Sequence, residues 1–529
     1  MKAIKYVLFI SIFSGGLFSC HDLEVPISTQ LTPDIFPQTP DQFVAAAGPT
    51  YNAFRQNFAV DYWFLQTLST DEAIMPARGG NWYDNGRYEQ HHKHSWTPAN
   101  AHVNAAWGYL NNVISNANQN MYLIEKGPEV EGKSTALAEL RMMRAIAVFM
   151  MMDLWGNIPI VTEFGDTNPP QTRPRAEVFS FIEEEVNACI PDLNAAVGVE
   201  TYGRPSLYTA YALLAKLYIN AEVYIGQSRY NEAIEACDMI IESGSYALES
   251  NFRKMFGLDN GPHIKEFIFA IPYDASTSNG QMFYDRYWLP RSTRAKYSLN
   301  FTPSAPMSTL PEFYAYFNDP NDVRTKQWLT GLQYKYDGTP IIVNTTKKGY
   351  DEDYAGADGG DALAYHVNLT PDVVVKNAAA FDCGNDEKSW NMGYRSIKFY
   401  PDSTSSTRNQ NNDIPIFRYS DVLLMKAEAI ERGGTPTLGQ TTLSLMNELR
   451  AVRTTSGPWA SVTLQDIYEE RTRELVGENW HRNDMIRFGK FEDQWGYKTD
   501  NNPSKRLFPI PTQAFQVNPQ LQQNPGYSN

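Results

Sequence analysis

Apolar residues recur at helical spacing through much of the chain. From Ser134 to Trp155, Leu137, Leu140, Ile146, Phe149, Met152 and Trp155 fall at three- or four-residue intervals or their sums, and Gly156 ends the run. Ser206 to Tyr224 reads SLYTAYALLAKLYINAEVY, with Ala between large apolar residues. Gly226 breaks it before a second helix starts at Tyr230-Asn231-Glu232-Ala233-Ile234. Ser420 to Arg432 and Gln440 to Arg453 form another pair, joined by Gly433-Gly434-Thr435-Pro436, and His102 to Lys126 is expected to pair with the helix from Ser134.

Between Phe256 and Pro415 the pattern changes to short aromatic and β-branched runs broken by Gly, Pro, Asn and Asp, which predicts loops and short strands. The helical pairs are like tetratricopeptide hairpins, in which Ala lets two antiparallel helices approach closely. Pairs at both ends imply one helical scaffold closed by distant segments. The predicted fold class is therefore mostly α, a tetratricopeptide-like scaffold with a loop-rich insertion containing short strands. One domain is expected over 20–529: scaffold at about 40–255 and 416–500, ligand-binding loops at about 256–415, and an extended tail at 501–529. Long loops on a rigid scaffold are where binding residues concentrate.

The first residues, MKAIKYVLFISIFSGGLFSC, combine Lys2 and Lys5 with an apolar stretch from Tyr6 to Phe13, as in an export signal over 1–19. Leu17-Phe18-Ser19-Cys20 resembles a bacterial lipobox, so Cys20 is the expected lipid attachment site. Acyl chains there would hold the mature chain on a membrane, at about 0.8 kcal/mol per buried methylene. Loss of the signal moves the net charge from −15 to −17, and an acidic chain with pI near 5.1 argues against a nucleic-acid partner. The odd set Cys189, Cys237 and Cys383 predicts no disulfide framework, and the first two lie in apolar helical settings that suit buried thiols.

Aromatic residues make up 13% of the chain, with 11 Trp and 31 Tyr. Most should pack in the core, and a minority on the surface would suit ligands with both apolar faces and hydroxyls, as sugars have.

Four stretches resemble the SusD family (RagB/SusD) of Bacteroidetes outer-membrane nutrient-binding lipoproteins. They are LRMMRAIAVFMMMDLWGNIPIV from Leu140, RYSDVLLMKAEA from Arg418, ERTRELVGENWHRNDMIRFG from Glu470 and FPIPTQAFQVNPQLQQNPGY from Phe508. The resemblance implies a cell-surface, lipid-anchored protein that captures oligo- or polysaccharide without cleaving it. It also implies a SusC-like TonB-dependent transporter as partner, covered by this chain as a hinged lid. Asp22 and Glu24 resemble the surface-export tag of such lipoproteins.

Parts of these motifs have structural explanations. Ser420 and Asp421 can cap the helix that follows, and Pro509 and Pro511 can hold an extended tail. Glu470, Arg471, Arg473, Glu474 and Glu478 suit a solvated or interhelix ion-pair face.

The segment LSTDEAIMPARGGNWYDNGRYEQHHKHSWTP, from Leu68 to Pro98, resembles a stretch near the family's binding face. Gly79 and Gly80 can turn the backbone tightly and lift Trp82 and Tyr83 out of a loop, the indole face meeting a pyranose. Asp71, Arg78, Asn81 and Asp84 can hydrogen-bond hydroxyls. Trp96 is a further candidate, although Trp-Thr-Pro before a helix also seals its start. In the loop-rich middle, Tyr287 and Trp288 of the FYDRYW cluster (Phe283 to Trp288) and Trp328 are expected to extend an aromatic platform, core packing being the alternative.

His91, His92, His94 and His102 fall close together without H-E-x-x-H spacing, and no metal is expected there. The acidic residues Asp351, Glu352, Asp353, Asp358 and Asp361 lack EF-hand spacing and read as a solvated turn. No nucleophile elbow, P-loop or dinucleotide fingerprint is present, and no cofactor is expected. Two alternatives stay open: a binding protein for a non-glycan nutrient such as peptides, and a glycoside hydrolase, which needs only two carboxylates at a set separation.

Overall fold

The computed structural model describes residues 36–278, 280–347 and 363–528. Cys20 and the acidic residues from Asp351 to Asp361 lie outside them. Eleven helices carry the architecture: α1 (Pro40–Gln56), α2 (Ala101–Glu125), α3 (Lys133–Trp155), α4 (Arg175–Cys189), α5 (Leu207–Ile219), α6 (Tyr230–Ile241), α7 (Tyr284–Trp288), α8 (Tyr419–Glu431), α9 (Thr442–Arg453), α10 (Leu464–Leu475) and α11 (His481–Arg487). The fold is mostly helical, as the spacing predicts.

The ends of these helices follow from local chemistry. The Asn100 side chain accepts from the His102 and Val103 amides at the start of α2, and Ser206 and Thr441 form capping boxes at α5 and α9. Gly156 ends α3 with φ +70°, a conformation that disfavours any other residue. From Met142 to Trp155 every side chain of α3 is buried, because α1, α2, α4 and α5 surround it. The helix expected up to Tyr224 breaks after Ile219, where the Asn220 side chain donates to the Lys216 carbonyl.

The two sequence halves close on each other. α8 packs on α5 and α6, and β4 (Ile414–Arg418), which leads into α8, pairs antiparallel with β1 (Phe267–Ile271), Ile414 facing Ile271. β2 (Ile342–Thr345) and β3 (Leu363–His366) form a separate antiparallel pair in the loop-rich region. One cluster of buried apolar side chains runs from Ala53 to Leu521 through both halves.

Two expectations need correction and a third is narrowed. Ser420 and Asp421 do not cap α8: Ser420 accepts from Arg418, and Asp421 pairs with Lys216 and Arg471. Of the two readings of the 470s charges, the solvated face is excluded and the interhelix ion-pair face holds, since Glu470, Arg471 and Glu474 are wholly buried and Arg471 pairs with Asp484 and Asp421 on other helices. The tail is not extended throughout, because Pro511 starts a short helix over Thr512–Val517. Among the described residues no helix is long and apolar enough to cross a membrane.

Candidate functional site

The Gly-Gly turn is built as its residue types require, and its anchor lies some three hundred residues away. Gly79 and Gly80 have φ of +63° and +80°. Their amides donate to the two oxygens of Asp382 at 2.8 and 2.6 Å, and the Gly384 amide donates to the same carboxylate at 2.8 Å. A Cβ on Gly79 would stand 2.5 Å from the Asn385 Cβ, so the close approach admits only glycine. Asp382 is buried, which strengthens each of these charge-assisted bonds.

Past the glycines the strain continues in residues that have a Cβ. Trp82, Asp84 and Asn85 all adopt left-handed backbone, with φ of +69°, +44° and +58°. Each costs on the order of 1 kcal/mol, and such outliers concentrate where a side chain must be presented. The Trp82 indole is thereby held half-buried, its edge toward Tyr287 at 5.6 Å, with the Arg286 guanidinium 5.5 Å from the ring. Arg286 also lies 5.7 Å from the half-buried Phe283 ring, and Tyr83 stands 38% exposed beside Trp82. Trp82, Phe283 and Arg286 thus form one aromatic surface with a cation in it, and Tyr83 is the exposed residue next to Trp82 in the chain. Asn81 is exposed on the same turn, and Asp84 pairs with Arg87 at 2.8 Å.

The remaining candidates lie inside, which corrects the expectation that they face a ligand. Trp96 is 1% exposed, and its Nε1 donates to the Tyr527 hydroxyl at 2.8 Å. Trp288 and Trp328 are buried edge to face, 6.2 Å apart, and Trp328 also packs on Phe313 and Phe317. Tyr287 is buried beneath Trp82 and supports it. Arg78 is fully buried and braces the loop against 389–392 by donating to the Ser389 and Met392 carbonyls. Asp71 accepts from His481 Nε2 at 2.6 Å. Burial opposes a charge on His481, but Asp71 raises its pKa.

Three of the four histidines have polar partners of their own, and His91 packs against the Trp96 and Phe508 rings. His102 pairs with Asp61 at 2.8 Å, His94 meets the Ser69 carbonyl at 2.9 Å, and His92 Nε2 accepts from the Tyr497 amide at 3.0 Å. Burial pulls the His91 and His94 pKa values down and that of His92 to about 3, so these rings are neutral packing elements. Among the described residues no group of three His, Cys, Asp or Glu is placed to hold a metal. Cys189, Cys237 and Cys383 are buried free thiols.

A cleft of about 290 Å³ adjoins the surface, lined by Arg291, Ala305, Val343, Lys347, Glu387 and Trp390 among others. Ala305 connects the two places, its amide donating to the Arg286 carbonyl. Two larger clefts, of about 660 and 560 Å³, take no residue from the Trp82 loop or from α7. The sequence reading missed Asp382 and Arg286. Nothing local marks Asp382, whereas Arg286 stands within the aromatic cluster and its lack of an acidic neighbour at helical spacing is a usable signal.

Comparison with known proteins agrees with this architecture. A family model described as "SusD family" matches residues 265–507, and one described as "Starch-binding associating with outer membrane" matches residues 50–219. The starch-binding protein SusD of Bacteroides thetaiotaomicron is 27% identical, over 87% of this chain and 84% of that protein. A SusD-like protein of Formosa agariphila is 24% identical over 99% of both chains. Among solved structures, a laminarin-binding SusD-like protein superposes with a TM-score of 0.72 at 20% identity, covering 93% of this chain and 100% of its own. Surface glycan-binding protein A of Bacteroides thetaiotaomicron, solved with laminarihexaose, gives 0.68 at 19% identity, covering 92% and 99%. With both family models placed in chain order and the fold shared almost end to end, the chain belongs to the SusD family.

Proposed function

We propose that this protein is a cell-surface glycan-binding lipoprotein that captures oligo- or polysaccharide on the Trp82 surface without cleaving it. It hands the ligand to a SusC-like TonB-dependent transporter, over which it acts as a lid, tethered to the outer membrane by lipid on Cys20. The observation that carries the reading is the loop itself. Three left-handed non-glycine residues and a buried carboxylate anchor are used to hold one indole half out of the surface beside Tyr83, Phe283 and Arg286. Relatives with starch-binding or laminarin-binding names support the ligand class, and one family description places starch binding at the outer membrane.

A non-catalytic role suits the carboxylates beside the surface. Asp61 and Asp84 are held by His102 and Arg87 at 2.8 Å each, so neither is free to act on a bound saccharide.

Affinity electrophoresis over a panel of neutral and acidic polysaccharides tests the reading. At least one polymer should retard the protein, and Trp82→Ala should weaken that binding about tenfold or more, roughly 1.4 kcal/mol, while Tm stays nearly unchanged. Normal binding by Trp82→Ala would displace the site, and new reducing ends from a bound glycan would overturn the non-catalytic role. Failure of every polymer to bind would remove the glycan reading altogether.

A further inference from the structure

We infer that the ligand is an acidic saccharide, bearing carboxylate or sulfate groups, and that Arg286 and Arg291 read its charge. The inference rests on the Trp82 surface being the glycan site and adds to it the class of glycan. The segment from Phe283 to Lys296 carries Arg286, Arg291, Arg294 and Lys296 in a chain whose overall charge is strongly negative. Its one acidic residue, Asp285, is buried, and burial raises its pKa to about 8, so it offers these cations no charge near neutral pH.

Arg286 lacks the acidic partners that Arg418, Arg453 and Arg487 have in the scaffold. Among the described residues its guanidinium forms no ion pair, and its Nε is buried without a hydrogen-bond partner. It sits instead among three rings, Trp82, Phe283 and Tyr287, at 5.4 to 5.7 Å. The nearby acids are already engaged, Asp61 with His102 and Asp84 with Arg87. A cation on aromatic faces keeps its full charge and its planar donors, and those donors match the oxygen pair of a carboxylate or sulfate.

The adjoining cleft repeats the arrangement. Arg291 stacks 3.9 Å from the Trp390 ring centroid and forms no ion pair among the described residues, and Lys347 lines the same cleft. The lone carboxyl there, Glu387, is pushed toward its neutral form by burial, against the pull of Lys347 and Arg291. A saccharide stacked on Trp82 with its next residue in this cleft would therefore meet one arginine at each position. Neutral sugars need donors and acceptors in mixed supply, whereas two unpaired guanidiniums on rings supply donors and charge.

Matched polymers separate charge from sugar: dextran sulfate against dextran, and polygalacturonate against its methyl ester. The acidic member of at least one pair should bind about tenfold tighter than its neutral partner, and which pair responds tells sulfate from carboxylate. Arg286→Gln should abolish that preference with Tm unchanged, and Arg291→Gln should reduce it less. Nonspecific attraction does not mimic this result, because a chain of net negative charge repels polyanions. Equal binding of both members, or equal loss on both in Arg286→Gln, overturns the inference. Binding of neutral glucans alone overturns it and leaves the glycan reading standing; binding of no polymer removes both.

Discussion

Arg418, at the end of β4, donates to Glu266, Glu474 and Glu478 at 2.6, 2.8 and 2.7 Å and is buried. Arg286, on the loop face, sits among rings with no acidic partner in the described residues. The scaffold thus solves the cost of buried charge by pairing. Glu474 alone accepts from Arg324, Arg418 and Arg453, and though burial pushes its pKa up, those three guanidiniums hold it well below the usual carboxylate range. The Trp82 face leaves its cation without an acidic partner among the described residues and its indole half-exposed. The contrast separates residues that specify the fold from residues available to something outside it.

The largest effect should come from breaking the paired side. Glu474→Ala leaves three buried guanidiniums short of a partner and should cost about 3–5 kcal/mol in urea denaturation. A loss under about 1 kcal/mol would mean that water reaches the network. Trp328→Ala should cost about as much by opening a cavity among Phe313, Phe317 and Trp288. Its binding by the remaining folded protein should be normal. If binding fell while Tm held, Trp328 would belong to the ligand face after all.

The same contrast explains what could be read in the sequence. Helical spacing and caps are local, so α2, α3, α8 and α9 are legible to within two residues. The turn at Gly79 and Gly80 is legible too, because glycine adopts its left-handed backbone at the least cost. Burial of an aromatic is not local. Trp82 and Trp328 look equally available in a chain with 11 Trp, and only the packing of Phe313 and Phe317 around one of them decides the matter. The burial of Asp71 and Arg78 is illegible in the sequence for a related reason: their partners, His481 and the Ser389 carbonyl, lie hundreds of residues away.

Asp285 joins the two regions, being buried in α7 while its neighbour Arg286 faces outward. Its carboxylate accepts from the Asp402 amide at 2.8 Å, yet burial raises its pKa from 3.8 to about 8. Glu72 is raised likewise to about 7. A carboxyl raised in the folded state keeps its proton where the unfolded chain has lost it, so each group's contribution to stability declines as pH rises. For Asp285 the decline runs from about pH 4 to about pH 8, at no more than ~1.4 kcal/mol per unit. On the acid side Asp484, held near 2 by Arg471 and Arg487 against burial, loses its stabilising charge as pH falls below 3.8. Asp285→Asn should therefore flatten the neutral limb of a Tm-against-pH curve and leave the acid limb alone. An unchanged slope would show that Asp285 is ionised in the folded protein.

The smallest effect on stability should come from the turn that presents Trp82, and there it should be felt in binding. Gly80 has φ of +80° but nothing within 4 Å of a Cβ placed on it, so Gly80→Ala introduces left-handed strain without a clash. That strain is about 1 kcal/mol, worth only ~1–2 °C in Tm for a chain this long. The loop can relieve it by letting go of Asp382, and the indole then moves, so affinity for the polysaccharide should fall several-fold. Gly79→Ala adds a contact of 2.5 Å with Asn385 and should cost more of both. Gly80→Asn should cost less, since Asn tolerates this backbone. If all three variants bind as the parent does, Trp82 is not held in place by the turn, and the strain in residues 82 to 85 serves something other than the ligand.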